Sequence, residues 1–356
     1  MICNHSHRGQ GVIVGVDTHK DQHVAAVVDR LGALIGQRSL PTTNTGYVDL
    51  EHWASGWGEI DAFGVEGTGS YGAGLARFLR AQGHRVVEVN RPDRSTRRRL
   101  GKSDPTDAEM AARAVLAGVA RDQPKSGVAE VEMIRMLKST KDSAMKGRTQ
   151  AINQMKALII TSPVELRAQL RGLTTINLID NCSRRHQGHP TTPLAAAKYA
   201  LRSLARRYIQ LTQEIEALNT ELARLTMAFA PALLEPLGIG PDTAAALLVT
   251  AGSNPERLKS EAAFAALCGV SPIPASSGKT NRHRLNRGGD RQANAAIHRI
   301  VLVRLRYDDR TNLYLQRRTE EGKTKTEAIR CLKRYVAREV FVILHDIGER
   351  LATHSV

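Results

Sequence analysis

The sequence predicts an α/β domain followed by an all-α region, and three observations predict it. The first half alternates short β-branched runs with helical stretches, the pattern of strands and helices layered on one sheet. Residues 201–229 carry a heptad repeat. Beyond Pro231 the chain is Arg-rich, punctuated by Gly and Pro, and reads as short helices.

The elements follow in order. GVIVGVD (11–17) is a short apolar run ending in an acid, the mark of a buried strand. HVAAVVDRLGALIGQ (23–37) reads as a hairpin turning near Asp29–Gly32. A helix is expected over Tyr47–Trp57. AFGVEG (62–67) is a second buried strand ending in an acid, Tyr71–Gln82 a helix, and RVVEVN (85–90) another strand. RPDRSTRRRLGKSD (91–104) is a basic loop with six Arg or Lys in 91–102. The helix DPTDAEMAARAVLAG (104–118) follows, with Asp104 able to cap it, Pro105 suited to its first position and Gly118 to close it.

From 126 to 230 the chain reads as mostly helix. Leu204, Tyr208, Leu211, Ile215, Leu218, Leu222 and Leu225 are spaced 4, 3, 4, 3, 4, 3. That spacing serves either an antiparallel pair inside the chain or a coiled-coil contact between subunits. The polar stretch 181–193 reads as a flexible link. The domains are then an α/β domain over 8–120, a helical region with a coiled coil over 126–230, and a small, mostly helical domain over 231–347.

Charge directs attention to partners. The chain has 356 residues, with 51 Lys and Arg against 35 Asp and Glu, a surplus of +16. Such a surplus points to an acidic polymer, DNA or RNA, and argues against a small neutral metabolite. Aromatics make up 4% of residues, too few for stacking of many bases to be the main mode of contact. The four cysteines form no CxxC pair, which gives no support to a zinc ribbon or a disulfide scaffold. Reduced thiols, the absence of an apolar leader and the lack of a long apolar run predict a cytoplasmic protein without a membrane partner.

Two constellations carry chemistry. Asp17 and Glu66 each end a predicted strand, while Asp104 and Asp107 share one helix face at i, i+3. Four converging carboxylates repel one another unless hard cations bind between them, and two Mg²⁺ ions would answer. Such a pair clamps the attacking and leaving oxygens of a phosphodiester. Taken singly, each acid could be a turn residue, an Arg partner or a helix cap. Together, beside Arg97, Arg98, Arg99 and Lys102, they favour metal chemistry on a nucleic acid. The glycines of EGTGSYGAG (66–74) lack a P-loop Lys-Ser/Thr and read as a tight turn that leaves Glu66 exposed.

The second constellation is PIPASSGKTNRHRLNRGGDRQAN (272–294). Ser276 and Ser277 precede Gly278, and Lys279, Arg282, Arg284, Arg287 and Arg291 follow. A serine hydroxyl is a poor nucleophile unaided, though surrounding cations would stabilise charge developing on a phosphate. From residues alone, a loop that binds phosphate without a covalent step is the favoured of two readings. Upstream, Leu237–Ala244 has the glycine spacing of a helix-hairpin-helix turn, able to hold a phosphate, or of a plain corner between helices.

These segments, in this order, resemble the IS110 family of transposases, in its IS110/IS116/IS902 group. The resemblance is carried by GVDTHKDQH (15–23), GVEGTGSYGAGLARFLRAQGH (64–84) and NRPDRSTRRRLGKSDPTDAEMAARA (90–114). It continues through GIGPDTAAALLVTAG (238–252) and FAALCGVSPIPASSGKTNRHRLNRGGDRQAN (264–294). It implies an RNase H-like (RuvC-like) DEDD domain with Asp17, Glu66, Asp104 and Asp107 as metal-binding acids, and Mg²⁺ as cofactor. It implies a catalytic serine in the ASSG motif, assigned to Ser277 with Ser276 as the near alternative, which reverses the residue-only preference. It also implies a coiled coil for subunit assembly into a dimer or tetramer. Double-stranded donor and target DNA and a structured bridge RNA are the implied partners. Two rival functions are a Holliday-junction-type metal-dependent endonuclease without a covalent step and a non-enzymatic nucleic-acid-binding protein.

Overall fold

A computed structural model describes residues 11–89, 103–125, 129–185, 189–252, 258–277 and 283–353. They fall into two compact units, one within Met1–Val128 and Gly252–Lys259, the other from Ala129–Ala251 and Ser260–Val356.

The first unit is a mixed α/β layer structure. Strands β1 (Gly11–Thr18), β2 (Gln22–Asp29), β3 (Leu34–Pro41), β4 (Glu59–Glu66) and β5 (Val86–Val89) form one sheet in the order β3-β2-β1-β4-β5. The first three strands pair antiparallel as a meander, and β4 and β5 add in parallel on the far side of β1. Every residue of β1 is buried, which is why its sequence is a nearly continuous apolar run rather than an alternation. Asp29 shapes the β2–β3 turn, accepting from the amides of Leu31 and Ala33, while Gly32 takes φ +85°.

Helix α1 (Asn44–Ser55) starts earlier than the apolar spacing suggests, because Thr43 caps it by accepting from the Gly46 amide. It shares one sheet face with α2 (Ala73–Ala81). There Val12, Val14, Val16, Phe63 and Val65 pack on Leu50, Leu75 and Leu79. The opposite face carries Ile13, Ala62 and Val87, and α3 (Asp104–Leu116) covers it with Ala111, Ala112 and Val115. Asp104 is the first helical residue of α3 rather than its cap. Ser103 stands at the cap with extended backbone, and Pro105 follows in the first turn. The Asp104 carboxylate is thereby left over for other work.

The second unit is helical. α4 (Ala129–Thr161) pairs with α7 (Pro193–Phe229), and the short α5 (Val164–Leu170) and α6 (Thr175–Ser183) close one end over Met155, Leu166, Leu178, Cys182 and Leu201. Met155 shares that cluster with Leu201 and Ala205, whereas Gly147 abuts Leu211, so the pair runs antiparallel. Within the heptad stripe, Ile215, Leu222 and Leu225 are buried inside the chain, which satisfies the intramolecular alternative. Asn181–Ser183, expected in a flexible link, belong instead to α6, where Cys182 is fully buried; 186–188 lie outside the described residues.

After a 3₁₀ turn at Pro231–Leu234 come α8 (Pro241–Ala251), α9 (Glu261–Leu267), the two-residue strands β6 (Ile273–Pro274) and β7 (His283–Arg284), and then α10 (Arg291–Tyr307), α11 (Asp309–Glu320) and α12 (Lys325–Thr353). Asp290 caps α10 through the amides of Gln292 and Ala293 and also accepts from Thr250 on α8. No helix among the described residues is long and apolar enough to cross a membrane.

Candidate functional site

The acids are brought together by how closely α3 lies on the sheet. Strand alternation puts Ile13, Gly15 and Asp17 on the α3 face of β1, and Ala62, Gly64 and Glu66 on the same face of β4. A Cβ at Gly15 would stand 2.0 Å from the Ala108 carbonyl oxygen, and one at Gly64 would stand 2.7 Å from Val115 Cγ2. The two glycines, facing Ala108, Ala111 and Ala112, let backbone meet backbone. The first turn of α3 is thereby carried to the carboxyl ends of β1 and β4.

Asp17, Glu66 and Asp107 are buried there, at 7%, 7% and 3% exposure, so Glu66 is not left exposed by its turn as expected, and the Asp104 side chain is about half exposed. Val16 pairs with Val65, so Asp17 and Glu66 follow each other off adjacent parallel strands. Thr18 Oγ1 donates to the Glu66 carbonyl oxygen at 3.0 Å, and Gly67, at φ +59°, turns the chain away just after it. That turn is closed by the Ser70 and Gly72 amides donating to the Gly67 carbonyl.

His19 is the residue that sequence reasoning missed. Its Nε2 lies 3.1 Å from Asp17 Oδ2 and 3.4 Å from Asp104 Oδ2. One ligand atom each from Asp17, His19 and Asp104 fall within 4.8 Å of one another. The available signal was its place two residues after Asp17, just past the strand end. Asp107 stands outside this tight group but acts on it. Burial pushes the Asp17 carboxyl above its ordinary range, His19 pulls it back, and the charges of Asp107 and Asp104 push it up again. Glu66 lies on the same face at the next strand end, also outside the tight group.

Crowded carboxylates form a poor resting state for acids alone, as the raised Asp17 shows, and a good one for a cation. Oxygen donors from Asp17 and Asp104 fit a hard divalent ion such as Mg²⁺, and the His19 nitrogen widens the fit toward Mn²⁺. Arg97, Arg98, Arg99 and Lys102, expected beside these acids, lie outside the described residues.

The second constellation is a hairpin. β6 and β7 pair antiparallel, Ile273 with Arg284 and Pro274 with His283. Ser276 and Ser277 follow β6 and are exposed. Lys279 and Arg282 lie outside the described residues, whereas Arg284, Arg287 and Arg291 are described and border a cleft. The 237–244 turn supports the plain corner. Its Gly240 amide donates to Thr243 Oγ1, and the first turn of α8 already holds Asp242, paired with Lys141 at 2.5 Å and Arg299 at 2.8 Å.

Residues 14–161 match the DEDD-type IS110 transposase family, and residues 230–316 match the transposase family IS116/IS110/IS902. Over 147 aligned positions the chain is 31% identical to the insertion element IS110 uncharacterized 43.6 kDa protein of Streptomyces coelicolor, covering 40% of this chain and 36% of that protein. Over 395 aligned positions it is 25% identical to the insertion element IS900 uncharacterized 42 kDa protein of Mycobacterium paratuberculosis, covering 95% and 96%. The matched part is thus about a third of the first relative and nearly all of the second.

Proposed function

Because the chain belongs to the IS110/IS116/IS902 family of transposases, we propose that it cuts and rejoins DNA strands, using the carboxylates of an RNase H-like domain and the serine of its second unit. The observation that carries this reading is the convergence of Asp17, Asp104 and His19 beside buried Asp107 and Glu66, at the strand ends of a sheet that α3 is built to approach closely.

Asp17 and Asp104 would hold a divalent cation, Mg²⁺ by preference, with Asp107 and Glu66 adding negative charge around it. When bound, the ion supplies positive charge at a scissile phosphate and eases departure of the leaving oxygen. The residues themselves orient and select: α3 fixes Asp104 and Asp107 on a rigid helix, and the Gly67 turn holds Glu66 in place. His19 sits against Asp17 and Asp104, where it fixes the orientation of both carboxylates.

Ser277, or Ser276 beside it, is the proposed nucleophile. Its Oγ forms a bond to phosphorus, one phosphorus–oxygen bond to the sugar breaks, and the serine proton leaves with the departing sugar hydroxyl. A hydroxyl of the partner strand then attacks the phosphoserine; its bond to phosphorus forms, the Oγ–phosphorus bond breaks and the proton returns to serine. Arg284, Arg287 and Arg291 would neutralise phosphate charge during both steps. The proposed partners are donor and target double-stranded DNA and a structured bridge RNA that supplies sequence choice by base pairing. The proposed assembly is a homodimer or homotetramer.

A metal-dependent junction endonuclease would use the same acids but form no covalent link. Denaturing electrophoresis of cleavage reactions on the element's own DNA ends separates the two. A protein–DNA adduct lost in Ser277→Ala and kept in Ser276→Ala is the expected result. Absence of any adduct while strands are cut would leave the endonuclease.

A further inference from the structure

A cleft of about 1390 Å³ opens in the second unit between the base of the β6–β7 hairpin and helices α10, α11 and α12. Eight arginines and two lysines line it against one carboxylate, Glu327. Glu327 is itself engaged, accepting from the amide and hydroxyl of Thr324. Some of the cations are neutralised: Arg334 and Arg338 pair with Glu261, and Arg318 pairs with Glu321. Others are not. Among the described residues, Arg284, Arg287, Arg291, Lys323, Arg330 and Lys333 make no salt bridge.

Lys333 is half-buried and is held by Asn294 Oδ1, a neutral acceptor. Burial pushes its ammonium below the ordinary lysine range, and Arg330 pushes it further. The Glu327 charge reaches Lys323 and Arg330, but one carboxylate is outnumbered, and crowded positive charge around half-buried Lys333 calls for a further anion. Arg330 and Lys333 share one face of α12, continued by the Glu261-paired Arg334 and Arg338, and with Lys323 and the arginines of β7 and α10 across the cleft they suit successive charges rather than a single small anion.

The aromatic content of this cleft decides what kind of polyanion fits. Tyr335 is 50% exposed, and Tyr314 meets it edge-on with ring centroids 5.5 Å apart at 85°. Arg317 stands 5.3 Å from the Tyr314 ring centre and Arg338 stands 5.9 Å from that of Tyr335. A protein with so few aromatics places two of them together among its cations. A duplex presents phosphates but keeps its base faces stacked inside; an unpaired strand presents both.

We propose that this cleft binds an unpaired stretch of nucleic acid, with phosphates on Arg330 and Lys333 and a base against the exposed ring of Tyr335. The chemistry is shared by single-stranded RNA and by an opened DNA strand. The proposal does not depend on strand cleavage, and its test is run in chelator, so its failure leaves the carboxylate reading standing.

The test is fluorescence anisotropy with the full chain and labelled oligothymidylate, oligouridylate and a duplex, each of about 15 nucleotides. Tyr335→Ala is expected to weaken the homopolymer bound more tightly about tenfold, with duplex binding changed less than about twofold. Oligodeoxyuridylate, which shares its base with oligouridylate and its sugar with oligothymidylate, separates the contribution of the sugar from that of the thymine methyl group. Tyr335→Phe keeps the ring and is expected to bind as the wild type does, which separates stacking from misfolding. Arg330→Gln with Lys333→Gln is expected to reduce the salt dependence of single-strand binding. Equal losses for duplex and single strand in Tyr335→Ala, no loss at all, or an abasic sugar–phosphate strand binding as tightly as oligothymidylate would each overturn the proposal.

Discussion

Gly15 holds the carboxylate centre together without touching a ligand. Its missing side chain is the space in which the Ala108 carbonyl and the Ala112 amide sit. Neither is the far end of a flexible side chain, so Gly15→Ala must lift α3 from the sheet. Overpacking of this kind costs about 3 kcal/mol, and it also displaces Asp104 and Asp107. Chemical denaturation should show the lost stability, and strand cleavage should fall with it. Gly69→Ala is the matched control, since a Cβ there meets nothing within 4 Å and the variant should melt and act as the wild type does. Sequence reasoning identified Asp17, Glu66, Asp104 and Asp107 because acids at strand ends and at i, i+3 on a helix are visible in one dimension. It passed over Gly15, Gly64 and His19. The glycines matter only through a helix that arrives later in the chain, Ala108 lying 93 residues after Gly15 and Val115 51 after Gly64, and His19 matters only once Asp104 is placed beside it.

At the scale of elements, the turn into α8 shows how an apparent phosphate site can be a structural joint. Burial raises the Asp242 carboxyl, but the Lys141 and Lys138 ammoniums and the Arg299 guanidinium overcome it and hold it at about 2, against an ordinary 3.8. A carboxylate depressed in the folded state stabilises the fold above its unfolded pKa and loses that contribution as pH falls through the folded value. Asp242→Asn should therefore destabilise the second unit by about 2 kcal/mol at neutral pH. Urea titrations should show the gap between variant and wild type shrinking as pH falls from about 4 to about 2. The glycine spacing of 237–244 left a phosphate-holding turn and a plain corner equally open, and it could not show that Lys138, Lys141 and Arg299 converge on Asp242 from two other helices. The heptad of α7 was legible in the same limited way. Its apolar face was plain from spacing; that α4 covers it was not, because α4 carries its own apolar residues at mixed spacing among Lys, Arg and Thr.

For the whole molecule, the surplus of +16 separates into places with distinct tasks. The α/β unit concentrates acid at one edge of its sheet, and the helical unit concentrates base in the cleft of α10, α11 and α12. Composition alone gave the partner class, and its aromatic count argued against stacking as a dominant mode. The structure sharpens this, because Tyr314 and Tyr335 stand together within the cations. The proposed strand cutting rests on the acid edge serving as a metal centre, and the most direct measurement is a Mg²⁺ and Mn²⁺ titration of the purified chain. Thermal melting and cleavage of its own element ends would be followed together, in wild type and in Asp17→Asn. The wild type should melt higher as metal is added, by about 2.7 kcal/mol of stabilisation at a hundredfold excess over Kd, and should cut only with metal present. Asp17→Asn should melt no higher with metal than without it and should not cut. Wild-type cleavage in full chelation, or an equal metal response in Asp17→Asn, would contradict a metal centre built on these acids.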